Sequence, residues 1–178
     1  LVAAAMLLAS RDIVGGIAFA RDQDGSIAPA DFSALMEREK KRFAGAELAG
    51  KTLGVIGLGA IGSLVARLGL DFGMDVVGFD PALSVEAAWR LPSEVRRMKD
   101  VQTLLGCSDF ISLHLPVLDS TRGLINSDML KHFRPGSCLV NFAREEIVVT
   151  EDLVDALYSG TLSRYVADFP HPLLLGRD

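Results

Sequence analysis

Cysteine is nearly absent: Cys107 and Cys138 are the two in 178 residues, with no Cys-x-x-Cys spacing. That excludes a disulfide-stapled secreted scaffold and a thiol-built zinc site, and leaves two reduced core thiols, as expected of a cytoplasmic protein. The three histidines stand in no His-x-x-x-His pair and beside no carboxylate cluster, so no metal centre is expected. Positive charge is in the minority, 18 Lys and Arg against 23 Asp and Glu, for a formal net charge of -5. An acidic surface repels phosphate backbones, and nucleic acid is not an expected partner. Long apolar runs are missing as well. The nearest, residues 1–10, is cut by Arg11 and Asp12 short of a membrane span, and no basic segment precedes it as in a signal peptide. No membrane association is expected. The chain opens on Leu rather than Met, which fits a piece of a longer polypeptide.

Aliphatic residues are plentiful. Hydrophobic residues make up 49% of the chain, ample for a packed core and unlike a disordered segment. Residues 1–20, rich in Ala, Leu and Met, read as one helix that is apolar on nearly every side and should therefore be buried. Residues 21–50 read as an irregular arm, with Gly25, Pro29 and one short solvated helix carrying the run Glu37-Arg38-Glu39-Lys40-Lys41-Arg42. From Lys51 strands and helices alternate. Strands are expected at 52–56, 75–79, 95–98, 109–115, 137–141 and 164–169. Helices are expected at 60–72, 101–105, 127–133 and 151–158, with Ser127 and Thr150 as N-caps. Apolar strands each followed by a helix point to a parallel sheet covered on both faces.

The strongest motif is Gly57-Leu58-Gly59-Ala60-Ile61-Gly62, a Gly-x-Gly-x-x-Gly run that leaves a strand and opens a helix. Gly57 permits a tight turn, Gly59 lets a diphosphate approach the backbone, and Gly62 lets the helix pack close to the strand. Ala60 and Ile61 begin that helix, where free N–H groups and the positive dipole end favour an anion. The next strand ends in Asp80, followed by Pro81, where a carboxylate is expected to accept hydrogen bonds from the adenosine ribose. Asp80 repels a 2′-phosphate and no arginine follows it, so NAD is expected over NADP.

The segment from Glu47-Leu48-Ala49-Gly50-Lys51-Thr52 through Gly62 resembles the D-2-hydroxyacid dehydrogenases, most closely their phosphoglycerate dehydrogenase branch. Three further segments are similar to motifs of that family, in its order: Phe79-Asp80-Pro81, then His114-Leu115-Pro116 with Thr121-Arg122-Gly123-Leu124-Ile125-Asn126, then Asn141-Phe142-Ala143-Arg144. The resemblance implies an α/β fold of Rossmann type, a doubly wound parallel sheet of about six strands over 51–178. An interdomain helix (1–20) and a connecting arm with dimer contacts (21–50) would precede it. It implies NAD as cofactor and hydride transfer between NAD and a small-molecule D-2-hydroxy acid, foremost 3-phosphoglycerate in serine biosynthesis, in a homodimer. By the same resemblance Arg144 matches the catalytic arginine, whose planar fork suits a substrate carboxylate. Asp168 matches an aspartate near the nicotinamide carboxamide. His114, Leu115, Pro116, Thr121, Phe142 and Ala143 would line the cofactor crevice, His114 not being the acid–base residue.

Hydride transfer to a keto carbon needs a proton donor beside the developing alkoxide. The family uses a histidine oriented by a glutamate. The resemblance puts that histidine beyond Asp178 and leaves the substrate domain outside the chain. The glutamate's place reads Phe169-Pro170-His171-Pro172, so either the acid–base pair is built otherwise or the segment aligns differently. Glu145 stands where many relatives carry glycine, and a positive φ there would strain it. Two other readings stay open: a dehydrogenase for another 2-hydroxy acid (glycerate, hydroxypyruvate or lactate), and a non-catalytic NAD-sensing dimerisation module.

Overall fold

Strands buried on both faces favour apolar side chains, and the central strands of this chain are mostly apolar, with Ser112, Ser137 and Asn141 the buried polar exceptions among the described residues of these strands. The structure, a computed structural model, describes residues 1–175; residues 176–178, the end of the expected cofactor domain, lie outside the described residues. Three helices come first: α1 (Val2–Ser10), α2 (Ile13–Arg21) and α3 (Pro29–Glu39). Then β1 (Thr52–Ile56), α4 (Ala60–Asp71), β2 (Asp75–Phe79), α5 (Val85–Trp89) and β3 (Arg96–Arg97) build one half. The other half is α6 (Val101–Cys107), β4 (Phe110–Leu113), α7 (Ser127–Leu130), β5 (Ser137–Asn141), α8 (Thr150–Tyr158) and β6 (Leu162–Ala167).

All six strands are parallel, in the order β3-β2-β1-β4-β5-β6. The winding direction reverses between β1 and β4, the point at which open parallel sheets receive ligands at the carboxyl ends of their strands. Side chains alternate between two cores. Leu53, Val55, Val76, Phe110 and Val140 pack under α4 and α1 on one face. Ile56, Val77, Ile111, Leu113 and Leu139 pack under α6, α7 and α8 on the other.

The single helix expected over 1–20 is two helices bent by 65° at Arg11-Asp12. Arg11 is extended, and the Asp12 side chain accepts the Gly15 N–H at 3.0 Å, so a capping aspartate restarts the helix. Nor is the segment wholly buried. α1 buries Val2, Ala5 and Met6, whereas no residue of α2 is buried and Ile13, Val14 and Ile17 face outward. A nine-residue helix has one face to lay on the sheet, and α2 bends away from it. Two caps also differ from expectation. Asn126, not Ser127, caps α7 through its Oδ1, and Thr150 is the first helical residue of α8. The strand ending at Leu113 is shorter than expected, and α5, capped by Ser84, was not anticipated. Among the described residues no single helix is long and apolar enough to cross a membrane.

Candidate dinucleotide site at the strand ends

The register lines up five strand ends. Ile56 lies opposite Phe79 and Leu113, Leu113 opposite Asn141, and Asn141 opposite Ala167. One residue beyond each stands Asp80, Gly57, His114, Phe142 or Asp168. Five segments far apart in sequence thus deliver expected site residues to one edge of the sheet, across the reversal point.

Gly57 has φ +92°, and a Cβ there would sit 2.4 Å from the His114 carbonyl oxygen. A Cβ on Gly62 would sit 1.8 Å from the Gly57 carbonyl oxygen, so the first turn of α4 rests directly on the loop. A Cβ on Gly59 meets no protein atom within 4 Å and would fill the cradle in front of the α4 N-terminus. The helix has no side-chain cap, and its first N–H groups, from Ala60 onward, lack intrahelical acceptors. Ile61, 66% exposed, flanks this opening. A bare helix start behind a glycine-walled cradle fits a diphosphate.

Asp80 is more tightly tied to this loop than its sequence position reveals. Its Oδ2 accepts the Leu58 N–H at 2.9 Å, and its Oδ1 accepts the Ala82 N–H at 2.9 Å. Each oxygen keeps lone-pair capacity for a ribose hydroxyl. Pro81 is exposed beside it, at the mouth of a cavity of about 470 Å³.

On the far wall His114 is partly buried, with Nε2 2.9 Å from the Oγ of buried Ser112. Burial pulls its pKa down to about 4. The loop beyond is folded by Thr121, whose Oγ1 donates to the Pro116 carbonyl at 2.6 Å and accepts the Leu118 N–H at 2.8 Å. Leu115 is half-buried and Pro116 exposed. The folded state disfavours imidazolium, while an unfolded histidine titrates near its usual 6.5. Between these values the unfolded chain binds more protons. The contribution is therefore fully present above pH 6.5 and is lost as pH falls toward 4, by about 2 kcal/mol after allowance for partial exposure. Urea unfolding at pH 7 and pH 4.5 is expected to show this loss, and His114→Gln to remove it. An equal loss in the variant would assign it to other groups.

Arg144 stands on the loop after β5. Its guanidinium is exposed, and Nη1 donates to the Ala143 carbonyl at 2.6 Å. Among the described residues no carboxylate pairs with it. The loop is shaped by Asn141, fully buried at the end of a wholly buried strand. Its Nδ2 donates to the Arg144 carbonyl at 2.8 Å and approaches the Tyr165 hydroxyl at 3.4 Å, and its Oδ1 accepts the Ala143 N–H at 3.1 Å. Burial pushes the Tyr165 hydroxyl up to about 12, so it stays neutral. Asn141 has no role of its own in the Asn141-Phe142-Ala143-Arg144 motif as the sequence alone presents it. A polar residue closing a buried strand was the available signal. Phe142 and Ala143 are half-buried in this turn, Phe142 against the core under α4 and α1 and Ala143 against the other core.

The strain expected at Glu145 is not there. Glu145–Ile147 forms a 3-10 turn, and among the described residues no non-glycine residue has a positive φ. Asp168 is exposed just past β6. His171 serves as a cap, its Nδ1 accepting the Leu173 N–H at 3.2 Å at the start of the turn Pro172–Leu174. Both cysteines are free thiols, and burial pushes Cys138 up to about 12, an unreactive core group.

A parallel sheet with this strand order, a glycine loop at its reversal point and a carboxylate closing β2 define a dinucleotide-binding α/β domain of Rossmann type. The chain belongs to the D-2-hydroxyacid dehydrogenase family as its cofactor-binding part: the family described as D-isomer specific 2-hydroxyacid dehydrogenase, NAD binding domain, matches residues 3–173. NAD is thus the cofactor of the domain. The chain is 43% identical over 134 residues to the D-3-phosphoglycerate dehydrogenase of Mycobacterium tuberculosis, covering 74% of this chain and 25% of that protein. It is 43% identical over 122 residues to the hydroxypyruvate reductase of Thermotoga maritima, covering 68% of this chain and 38% of that protein. Among solved structures, apo D-mandelate dehydrogenase of Rhodotorula graminis matches with a TM-score of 0.76 at 28% identity, over 96% of this chain and 50% of that one. The chain therefore spans 25% of the length of the first relative and 50% of the solved one.

Proposed function

We propose that the chain is the cofactor-holding part of an NAD-dependent dehydrogenase acting on 3-phosphoglycerate, the entry to serine biosynthesis, within a cytoplasmic homodimer. The observation that carries the reading is the row of strand ends that brings Gly57, Asp80, His114, Phe142 and Asp168 to one edge. The N–H groups at Gly59, Ala60, Ile61 and Gly62 hold the diphosphate. Asp80 accepts the adenosine ribose hydroxyls, with Pro81 beside it. His114, Leu115, Pro116 and Thr121 wall the crevice, and Phe142 and Ala143 present backbone to it. Asp168 meets the carboxamide of the nicotinamide ring. When bound, NAD supplies the hydride acceptor. Arg144, held by Asn141, grips the substrate carboxylate with a guanidinium that pairs with no carboxylate among the described residues.

Residues 1–20 act as the interdomain segment and 21–50 as the arm at the dimer contact. Exposed Leu7, Leu8, Ile13, Val14 and Ile17 support that reading, since such a patch favours association. The likeness to hydroxypyruvate reductase supports a second reading, a dehydrogenase for a different 2-hydroxy acid.

The test has two parts. Calorimetry of the chain with NADH is expected to show saturable binding, with quenching of Trp89 by energy transfer. No uptake at millimolar NADH sinks the proposal. The full polypeptide carrying this chain is then assayed against a panel of 2-keto acids. 3-Phosphohydroxypyruvate is expected to lead, and Arg144→Gln to lower kcat/KM about a hundredfold or more, the scale of losing a charged partner in a buried pair. A different leading substrate replaces the substrate assignment and leaves the cofactor reading intact.

A further inference from the structure

β3 is two residues long, and both are arginine. In the parallel pairing Arg96 lies opposite Val77 and Arg97 opposite Gly78. Paired residues point to the same face of a sheet, and successive residues to opposite faces. A Cβ on Gly78 would lie 2.9 Å from Leu58 Cδ1, which identifies its face as the one beneath the glycine loop. Arg97 rises on that face and Arg96 on the other. The cavity of about 470 Å³ beyond β2 agrees: Asp80, Pro81, Leu83, Trp89 and Arg97 line it, and Arg96 does not. Among the described residues no carboxylate, Asp80 included, lies within ion-pair distance of Arg97. Asp80 meanwhile has both carboxylate oxygens engaged by backbone N–H groups, one of them from the loop itself. The cavity is thus lined both by an arginine without an ion pair among the described residues and by Asp80, whose carboxylate is turned partly to the loop.

We propose that Arg97 is a specificity-determining residue of the cofactor site, receiving the 2′-phosphate of NADP(H) and so widening use from NAD to both cofactors. The proposal rests on the reading that Asp80 meets the adenosine ribose. A phosphate at the 2′ position enters the cavity that Arg97 and Asp80 share. There the guanidinium donates to its oxygens and offsets the repulsion from Asp80. NADH carries only a neutral hydroxyl at that position, so its binding depends far less on the charge of Arg97.

The test is direct titration of the intact chain with NADPH and with NADH, before and after Arg97→Ala, with Arg96→Ala as the charge-matched control. Both positions are exposed on an edge strand, so neither variant threatens the fold. Arg97→Ala is expected to weaken NADPH about tenfold or more, the scale of a hydrogen bond to a charged group, and to leave NADH within about twofold. Arg96→Ala is expected to change neither. The proposal is overturned if wild-type chain binds NADH but Arg97→Ala leaves NADPH unchanged, or if Arg96→Ala lowers NADPH equally. Failure of wild-type chain to bind NADH instead overturns the ribose reading of Asp80.

Discussion

Gly62→Ala is expected to abolish NADH binding and to destabilise the chain, while Gly59→Ala, three residues earlier, abolishes binding alone. A glycine inside a helix ordinarily gains about 0.5–1 kcal/mol on replacement by alanine, because the unfolded chain loses entropy. At Gly62 the new methyl would lie 1.8 Å from the Gly57 carbonyl oxygen, a contact with backbone that no rotamer change relieves. Overpacking of this kind costs about 1–3 kcal/mol or more and outweighs the helix gain. To admit the methyl, α4 must lift from the loop, moving its free N–H groups off the diphosphate position. At Gly59 φ is -66°, allowed for alanine, and nothing within 4 Å obstructs the methyl. That methyl collides with a bound diphosphate but not with protein. Urea unfolding of the two variants beside NADH calorimetry separates the effects. If Gly59→Ala binds NADH as well as wild type, the cradle lies elsewhere.

Asp80→Arg is expected to weaken NADH about tenfold to a hundredfold and to shift relative preference toward NADPH. The change removes an acceptor of ribose hydroxyls, and hydrogen bonds to a charged group contribute about 1.5–3 kcal/mol each. It also frees the Leu58 N–H, so hydrogen exchange at Leu58 should quicken along with the loss of affinity. Titration with both cofactors checks the preference. An unchanged ratio of NADH to NADPH affinity removes Asp80 from the ribose site, whatever happens to the loop.

Much of this site was legible in residue order. β1, β2 and β5 begin and end where their apolar runs place them. Gly57 makes the tight turn expected of the loop's first glycine, at a positive φ. These features answer to local sterics and to periodicity, which a short window of sequence contains. The misreadings had local causes too. Residues 1–20 looked continuous because nearly every residue is apolar, and the capping power of Asp12 was not weighed against that run. Glu145 was expected to be strained by analogy with glycine, but a 3-10 turn accommodates it at negative φ.

Partnerships across the fold were a different matter. Asp80 and Leu58 are 22 residues apart, and Asn141 and Tyr165 are 24 apart. Whether each pair meets depends on strand order and register. So does the position of Arg97, which reads as half of a charged dipeptide until β3 pairs with β2 and points one arginine at the Asp80 cavity and its neighbour away. The sequence by itself determined the parallel α/β class, the glycine loop and the carboxylate at the end of the second strand, because backbone conformation and burial pattern are written in near neighbours. The tertiary structure alone decided how those residues are held, because a hydrogen bond between distant segments exists only once the sheet has set which strand lies beside which.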